Sequence, residues 1–487
     1  MTDKIVFWGL CLVIILLPLP FGAVDEWAIF AFEAATFILF VFYVVGAGRA
    51  DESEERNSAL GRASLPSWLK TLSVLSLGIA FLELVPLPPL ILAAISPRAA
   101  GIWGGISPAA EPGTAAARGW ATLSLVPNFT LYEIVRYIFY FLFAYLVYKH
   151  VRTRKRVRTF VFVLFAAACF QSFYGLAEFF GGTQRIFGFQ REAYVDSATG
   201  TFINRNHFAG FLEMIFPVSV GYLLARAGFF AMKRGGSFRE KILWFSQERL
   251  QKAIVFGIVP ILIGVGIFFS RSRSGVFLFF AVIFLMVVAL SGAAGEKKRG
   301  RSYFPGQNQK NRTVPIFRTV VLAVVFAVIL IGINPIIERF SFAALAHEVR
   351  PVYFRNTVEI IKDFPLAGTG LGTYLHAYPM YEKKYSGELL EHAHNDYLEL
   401  LAEGGIVAGG LMIVVAFGTL VWLFAKWARR NDHFVRGVGL GCLAGIATIL
   451  IHSLTDFNLH ITANAVLFVT LYALAMRVVG LDAKRAV

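Results

Sequence analysis

The sequence is poor in charged residues and in cysteine. Asp, Glu, Lys and Arg make up 16% of its 487 residues, and 57% of the residues are hydrophobic. A soluble domain has about 25% charged residues. Runs of about 18 or more apolar residues recur along the chain, and each is long enough to cross a bilayer. Because these runs are continuous and do not alternate, they exclude a transmembrane barrel. The sequence therefore predicts an all-α polytopic membrane protein.

Cysteine and cofactor motifs are equally scarce. The three cysteines, Cys11, Cys169 and Cys442, all lie inside apolar runs, so they form neither a disulfide framework nor a metal-binding spacing. The chain has no Walker-type loop and no dinucleotide fingerprint. Its glycine-rich GTGLG stretch at 368–372 follows no predicted strand and precedes no lysine, which argues against a nucleotide site. We expect no cofactor and no metal.

The formal net charge of +15 does not indicate nucleic acid as a partner. The basic residues form short clusters between the apolar runs, as expected from the positive-inside rule. Most of the 46 Lys and Arg residues face the cytoplasm if both termini do. About twelve spans are predicted, at roughly 5–23, 27–47, 71–95, 129–148, 159–180, 205–226, 253–270, 275–292, 318–337, 404–425, 437–456 and 463–480.

One long polar segment, 338–403, separates the ninth and tenth predicted spans on the outer side of the membrane. It has about 66 residues, and a segment of this length is rarely structureless in a compact protein. We expect it to fold, with one helix through 351–362 and another that begins near Asn395, a residue able to cap it. A second outer segment, 96–128, is rich in Ala, Gly and Pro, and we expect it to be loosely structured.

Arg273 lies in the turn SRSRSG between two apolar runs, where a charge is costly and needs a reason. A guanidinium can bind phosphate oxygens through two parallel hydrogen bonds and cannot lose its charge. The alternative is an arginine that extends to the membrane interface, which we prefer for Arg271. Arg273 is therefore a candidate anion-binding residue.

Arg350 is a second candidate, at the start of the predicted helix of the polar segment. The alternative is a surface ion pair with Glu348 or Glu359. Arg355, five residues further on, lies in the same predicted helix as Arg350. It is the weaker candidate because Glu359 is spaced to neutralise it.

His394 stands in the stretch HAHNDYLELLAEGG, at the start of a predicted polar helix. A neutral imidazole at this position can accept a proton from a hydroxyl group near neutral pH. His392 and His394 could instead be a metal-binding pair, but no second His or Cys cluster is tied to them by spacing. We expect the acidic residues that flank this pair to form a solvated face: Glu391, Glu399 and Glu403.

Two further polar clusters adjoin outer span ends, in TFINRNHFAG and HSLTDFNLHITAN. Polar groups at this depth usually pack against one another. Because both clusters face the outer side of the membrane, a cavity that they line together is an equally good interpretation. The residues predicted to line it are Asn204, Arg205, Asn206, His207, Asn395, Asp456 and His460. Glu133 and Arg136, three residues apart within a span, are expected to form a structural ion pair.

These motifs together resemble the O-antigen ligase and polymerase superfamily of bacterial membrane glycosyltransferases. The resemblance covers roughly 200–475 and rests on FINRNHFAGFL, SRSRSG, IIKDFPLAGTGLGTY, HNDYLELLAEGGIVAGG and HSLTDFNLHITANA. His394, Asn395 and Gly405 match the ligase motif, whereas Ala408 stands where the motif has Asn, Thr or Tyr. Arg273 and Arg350 align with the arginines of the family.

The resemblance implies a C-type glycosyltransferase architecture in the bacterial inner membrane, with cytoplasmic termini and a periplasmic, metal-independent active site. The implied donor is a glycan on undecaprenyl pyrophosphate, held by Arg273 and Arg350. His394 would be the catalytic base for an acceptor hydroxyl on a second glycan, on lipid A core or on a protein. The regions are then 1–200 with five spans, 201–480 as the ligase-like region, and a cytoplasmic tail at 481–487.

The sequence does not decide between ligase and polymerase. A different class is also open: a non-catalytic polysaccharide or lipid transporter or scaffold, in which the arginines bind anions without chemistry. Transporters often consist of repeated halves with interrupted helices, and the sequence shows no such repeat. This difference favours the enzyme.

Overall fold

A computed structural model describes residues 2–47, 66–106, 119–226, 248–295, 321–326, 329, 349–383 and 389–481. In these residues nearly all regular structure is helical. A single antiparallel pair of two-residue strands is described, β1 (Arg185–Ile186) and β2 (Phe189–Gln190). The predicted all-α class is confirmed for this part of the chain.

The helices are numbered in chain order. They are α1 (Thr2–Leu16), α2 (Glu26–Ala47), α3 (Ser67–Leu82), α4 (Pro89–Ile95), α5 (Pro97–Ile106), α6 (Pro127–His150), α7 (Arg154–Gly181), α8 (Arg205–Ala225), α9 (Glu248–Phe269), α10 (Arg273–Gly295), α11 (Arg350–Asp363), α12 (Tyr374–Ala377), α13 (Asp396–Gly404), α14 (Gly410–Ala428), α15 (His433–His452) and α16 (Thr462–Val479). A π-helical turn, Gly405–Gly409, joins α13 to α14, and a 3₁₀ turn, Asn458–His460, precedes α16.

Eight helices among the described residues are long and apolar enough to cross a membrane. They correspond to eight of the predicted spans and make this a multi-pass membrane protein. The predicted count of twelve stays a prediction. α1 has 15 residues, the apolar part of α9 is Phe256–Phe269, and the predicted span 318–337 lies largely outside the described residues.

The third predicted span, 71–95, is wrong in its second half. α3 ends at Leu82 and the chain resumes as a separate short helix, α4. Pro86, Pro88 and Pro89 explain the break, since proline lacks the N–H of a helix interior. The expectation of a loosely structured 96–128 segment is also wrong for its first part, because Pro97–Ile106 is helix α5.

The centre of the bundle is the contact between α8 and α15. Every side chain of α8 from His207 to Leu224 is buried. A Cβ added at Gly441 of α15 would lie 2.6 Å from the carbonyl oxygen of Pro217 in α8, and one at Gly445 would lie 2.3 Å from that of Met214. Glycine is therefore needed for the two backbones to approach this closely, as is common between membrane helices.

Ion pairs join several helix ends at one end of the bundle. Asp3 binds Arg156 and His150, at the start of α7 and the end of α6. Arg154 donates to both carboxylate oxygens of Asp432, the N-cap of α15. All of these residues belong to the segments predicted to be cytoplasmic, so their common end agrees with that topology.

The polar segment lies toward the other end, and its described part has an apolar core of its own. Ile360, Phe364 and Tyr374 pack with Leu92 of α4 and Leu123. The predicted helix 351–362 is confirmed as α11, and Asn395 caps α13 by accepting from the N–H groups of residues 397 and 398. The position of the whole segment between two spans stays a prediction, because residues 330–348 lie outside the described part.

The glycine-rich stretch 368–372 has a packing role. The Leu371 N–H donates to the Glu83 carboxylate at 3.0 Å, and the Gly370 N–H donates to the Glu403 carbonyl at 2.8 Å. Gly368 has φ +67°, and a Cβ there would lie 2.0 Å from that same carbonyl oxygen. The stretch thus connects the polar segment to α3 and α13.

Candidate functional site

The candidate site is built around Asp456, in the short segment between α15 and α16. Its side chain is 1% exposed. Asn206 at the start of α8 donates to Oδ2, and so does Arg350 at the start of α11, at 3.3 Å. His394 Nδ1 lies 3.3 Å from Oδ1. His207 Nε2 lies 3.8 Å from Oδ1. One buried carboxylate therefore joins four distant parts of the chain.

These neighbours keep Asp456 ionised. Burial alone would raise the pKa of Asp456, but the nearby imidazole of His207, the hydrogen bond with His394 and the charge of Arg350 hold it well below its usual range. A buried carboxylate is stable only when it is paired and hydrogen-bonded.

The backbone and two aromatic rings fix the position of His394. Its φ of +53° is in the left-handed region, which a non-glycine residue adopts only at a cost of about 1 kcal/mol. The ring stacks on Tyr353 at 6.1 Å between centroids and contacts Phe457 edge-on at 4.8 Å. Asn395 next to it donates to the Leu454 carbonyl at 2.9 Å.

The hydrogen bond to Asp456 decides which nitrogen of His394 can accept a proton. An ionised carboxylate only accepts, so Nδ1 of His394 carries the hydrogen and Nε2 is the basic nitrogen. The side chain is 23% exposed. The arrangement provides an oriented and partly exposed imidazole.

Arg273 belongs to the same end of the bundle. It is the first residue of α10, and the hydroxyl of the next residue, Ser274, lies 2.9 Å from that of Thr455. Thr455 directly precedes Asp456. Arg350 thus contacts Asp456 directly, and Arg273 adjoins the same segment through its neighbour Ser274.

The other residues predicted to line the cavity contact different parts of the chain. Asn204 caps α8 and accepts from the Asn206 N–H, and the His207 ring contacts Phe457 edge-on at 4.6 Å. Arg205 instead lies 3.5 Å from Asp196 and over the Tyr194 ring. The prediction that these residues share one cavity is untested.

His460 joins a second cluster beside the first. Its Nδ1 donates to Asp396 at 2.9 Å, and its Nε2 lies 3.2 Å from Oε1 of Glu399. His392 Nδ1 lies 2.7 Å from the same oxygen. Burial alone would lower the pKa of His460, but Glu399, Asp396 and Glu403 raise it to about 10. The His392 ring stacks on Phe457 at 4.4 Å, so the two clusters share that aromatic side chain.

The structure corrects the predicted solvated face at two acidic residues. Glu399 and Glu403 are 1% and 3% exposed and do not form a solvated face. The reason is that α13 packs this side against His392 and against the backbone of Tyr374, whose N–H donates to Glu403 at 2.8 Å. The guanidinium of Arg271 donates to Asp196, and its position at the membrane interface stays a prediction.

Two expected ion pairs have different outcomes. Arg136 donates to Glu133 at 2.8 Å, which confirms that pair. Arg350 contacts Asp456, and Glu359 pairs with Lys362 at 2.9 Å. The four-residue spacing suggested that Glu359 would neutralise Arg355. In the structure Glu359 pairs with Lys362 instead.

Sequence reasoning missed Tyr353 and Phe457, the aromatic rings that hold the histidines, and gave Asp396 no role. It also missed the fully buried contact of His452 with Glu213 at 2.7 Å. The signal that could have found Phe457 is its place in TDFNLH, directly after Asp456. Tyr353 has no comparable signal.

Fold and site together define a class of protein: a multi-pass α-helical membrane protein with a histidine, an arginine and a buried carboxylate joined at one end of its helices. Residues 258–413 match the family model described as O-antigen ligase. The match confirms the resemblance to the O-antigen ligase and polymerase superfamily. It includes Arg273, Arg350 and His394 and ends before Asp456. No curated protein matches the chain.

Proposed function

We propose that the protein transfers a glycan from an undecaprenyl pyrophosphate donor to an acceptor hydroxyl group, with His394 as the general base. The observation that carries the proposal is the contact of His394 Nδ1 with the buried Asp456 carboxylate. This contact sets the tautomer and orientation that a base requires, in the way that a carboxylate orients the histidine of a hydrolase triad. The family match at 258–413 supports a ligase or polymerase type of activity in general.

The chemical step has a simple balance. Nε2 of His394 takes the proton of the acceptor hydroxyl while its oxygen forms a bond to the anomeric carbon. The bond from that carbon to the pyrophosphate oxygen breaks, and the electron pair leaves with the pyrophosphate. Asp456 stabilises the imidazolium that forms. General base catalysis of this kind contributes about 10²–10⁴-fold to a rate.

Arg273 and Arg350 are the proposed ligands of the pyrophosphate. Negative charge grows on the leaving pyrophosphate, and a fixed cation near it lowers the barrier. Arg350 and His394 contact the two oxygens of the same carboxylate, so the proposed anion site and the proposed base lie side by side. Pyrophosphate is a good leaving group in its own right, and the proposed reaction uses no metal.

The proposed setting is the periplasmic face of the bacterial inner membrane, with both termini in the cytoplasm. The lipid donor would approach laterally between the spans, and the acceptor would arrive from the periplasm. The acceptor is a hydroxyl on a growing glycan, on lipid A core or on a protein, and it decides between polymerase and ligase.

The test is transfer in vitro from a lipid pyrophosphate donor to a panel of the three acceptors. His394→Ala should lower the rate by about a hundredfold or more and should still bind the donor, because the arginines are retained. The control is His376→Ala, which removes an exposed histidine of the same segment. An active His394→Ala protein, or donor movement across vesicles without any transfer by the wild type, would support the transporter or scaffold alternative.

A further inference from the structure

Three side chains outside the proposed base and anion site present nitrogen and oxygen atoms to one another. The ligand atoms of His392, Glu399 and His460 all lie within 4.8 Å of one another. They come from the loop before α13, from α13 itself, and from the 3₁₀ turn before α16. No sequence spacing links the third residue to the first two, and tertiary structure alone assembles the group.

Two of these side chains, His460 and Glu399, are already oriented by a second contact. His460 donates from Nδ1 to Asp396 at 2.9 Å, which directs Nε2 toward Glu399. Glu399 accepts the Ala393 N–H on Oε2 at 2.7 Å, which leaves Oε1 toward both histidines. Histidines that bind metals almost always donate their other nitrogen to a carboxylate or carbonyl, and the carboxylate ligands are themselves hydrogen-bonded.

The donor set selects the class of ion. Two imidazoles and one carboxylate suit a divalent transition metal such as Zn²⁺, at about 2.0–2.2 Å from each ligand atom. Ca²⁺ and Mg²⁺ prefer oxygen ligands alone. The ligands of a tetrahedral zinc ion are roughly 3.4 Å apart. Oε1 is 2.7 and 3.2 Å from the two nitrogens, and all three ligand atoms lie within 4.8 Å of one another, so an ion would require the side chains to adjust.

Charge and access also favour a cation. Asp396, Glu399 and Glu403 are at most 5% exposed, and all three interact electrostatically with His460. Protonated His460 compensates these carboxylates in the absence of an ion, and a divalent ion at Nε2 would replace that proton and compensate the same charges. The side chains of His392 and His460 are 26% and 15% exposed, which leaves a path for the ion and room for a water ligand.

We infer that His392, Glu399 and His460 form a binding site for one divalent transition-metal ion, with Asp396 as the carboxylate that orients His460. The ion would link α13 to the turn before α16 and so stabilise the framework behind His394. This inference is independent of the proposed transfer reaction, because the base and its carboxylate are not among the ligands.

The experiment measures Zn²⁺ binding to full-length protein in detergent, purified with a tag that contains no histidine and stripped with a chelator. One ion per chain should bind. His392→Ala should weaken binding more than tenfold, and Asp396→Asn should weaken it by about 10–100-fold, the usual effect of removing such a partner. His376→Ala, which changes a histidine of the same segment, is the matched control. Zinc X-ray absorption should show two imidazoles.

A second measurement guards against misfolded variants. Zn²⁺ should raise the thermal midpoint of the wild type and of His376→Ala, since an ion that binds only the folded state stabilises it, and should leave that of His392→Ala unchanged. Absence of stoichiometric binding by the wild type would overturn the inference and leave a hydrogen-bonded network without an ion. Equal binding by wild type and His392→Ala would overturn the assigned ligands.

Discussion

His394 and Asp456 are 62 residues apart in the sequence, and the hydrogen-bond distance from Nδ1 to Oδ1 is 3.3 Å. The carboxylate that makes this contact is 1% exposed and also binds Arg350. The pair therefore joins the polar segment to the turn between the last two spans. It is the relationship on which the proposed chemistry depends most directly.

Removal of the Asp456 charge should impair transfer without removing the base. In Asp456→Asn the neutral amide no longer stabilises the imidazolium. Its NH2 group can also face Nδ1, where it donates a hydrogen bond instead of accepting one. We expect a loss of about a hundredfold or more in rate at an unchanged donor affinity. Asp432→Asn, which changes a carboxylate at the other end of the bundle, should retain near wild-type transfer. A fully active Asp456→Asn protein would show that His394 needs no orienting carboxylate.

Lysine in place of the two proposed anion-binding arginines should be a poor substitute. Lysine retains the charge and loses the planar pair of donors that fits a pyrophosphate. Arg273→Lys and Arg350→Lys should each lose at least about tenfold in transfer and should need more donor for half-maximal rate. Arg355→Lys, on the exposed side of α11, is the comparison and should be mild. Full activity of both Arg273→Lys and Arg350→Lys would exclude a bidentate contact of these arginines with the pyrophosphate.

The orientation can be tested with cysteines at exposed positions of the two ends. In a Cys169→Ala background, Cys11 and Cys442 stay buried. A cysteine at Lys362, whose side chain is 63% exposed, should react with an impermeant maleimide in intact spheroplasts. A cysteine at Arg429 should react only after lysis. The reverse pattern would invert the topology and move the proposed site to the cytoplasm.

The close contact of α8 and α15 should tolerate no side chain at Gly441. Valine there would place its Cβ 2.6 Å from the Pro217 carbonyl oxygen, and neither backbone can give way without separating the helices. We expect the free energy of unfolding to fall by about 2 kcal/mol or more, which is in the upper range for overpacked cores. The measurement is the thermal midpoint in detergent, which should be lower. Gly257→Val is the control, because a Cβ at Gly257 would meet nothing within 4 Å. Equal midpoints for the two variants would refute the close-packing explanation.

The sequence by itself determined the class of the protein, because long apolar runs need only composition and length to be recognised. It also predicted α11, the Asn395 cap and the pair of Glu133 with Arg136, all of which depend on residues close together in the chain. The same local reasoning identified Arg273, Arg350 and His394 as candidates.

Only the tertiary structure decided which residues meet. It brought Asp456 to His394 and Arg350, and it placed His460 with His392 and Glu399. The sequence predicted a solvated face for Glu399, because an acidic residue on a short polar helix is expected to be exposed until its neighbours are known. Hydrogen bonds between distant segments follow from the packing of the helices, and no spacing in the sequence records that packing.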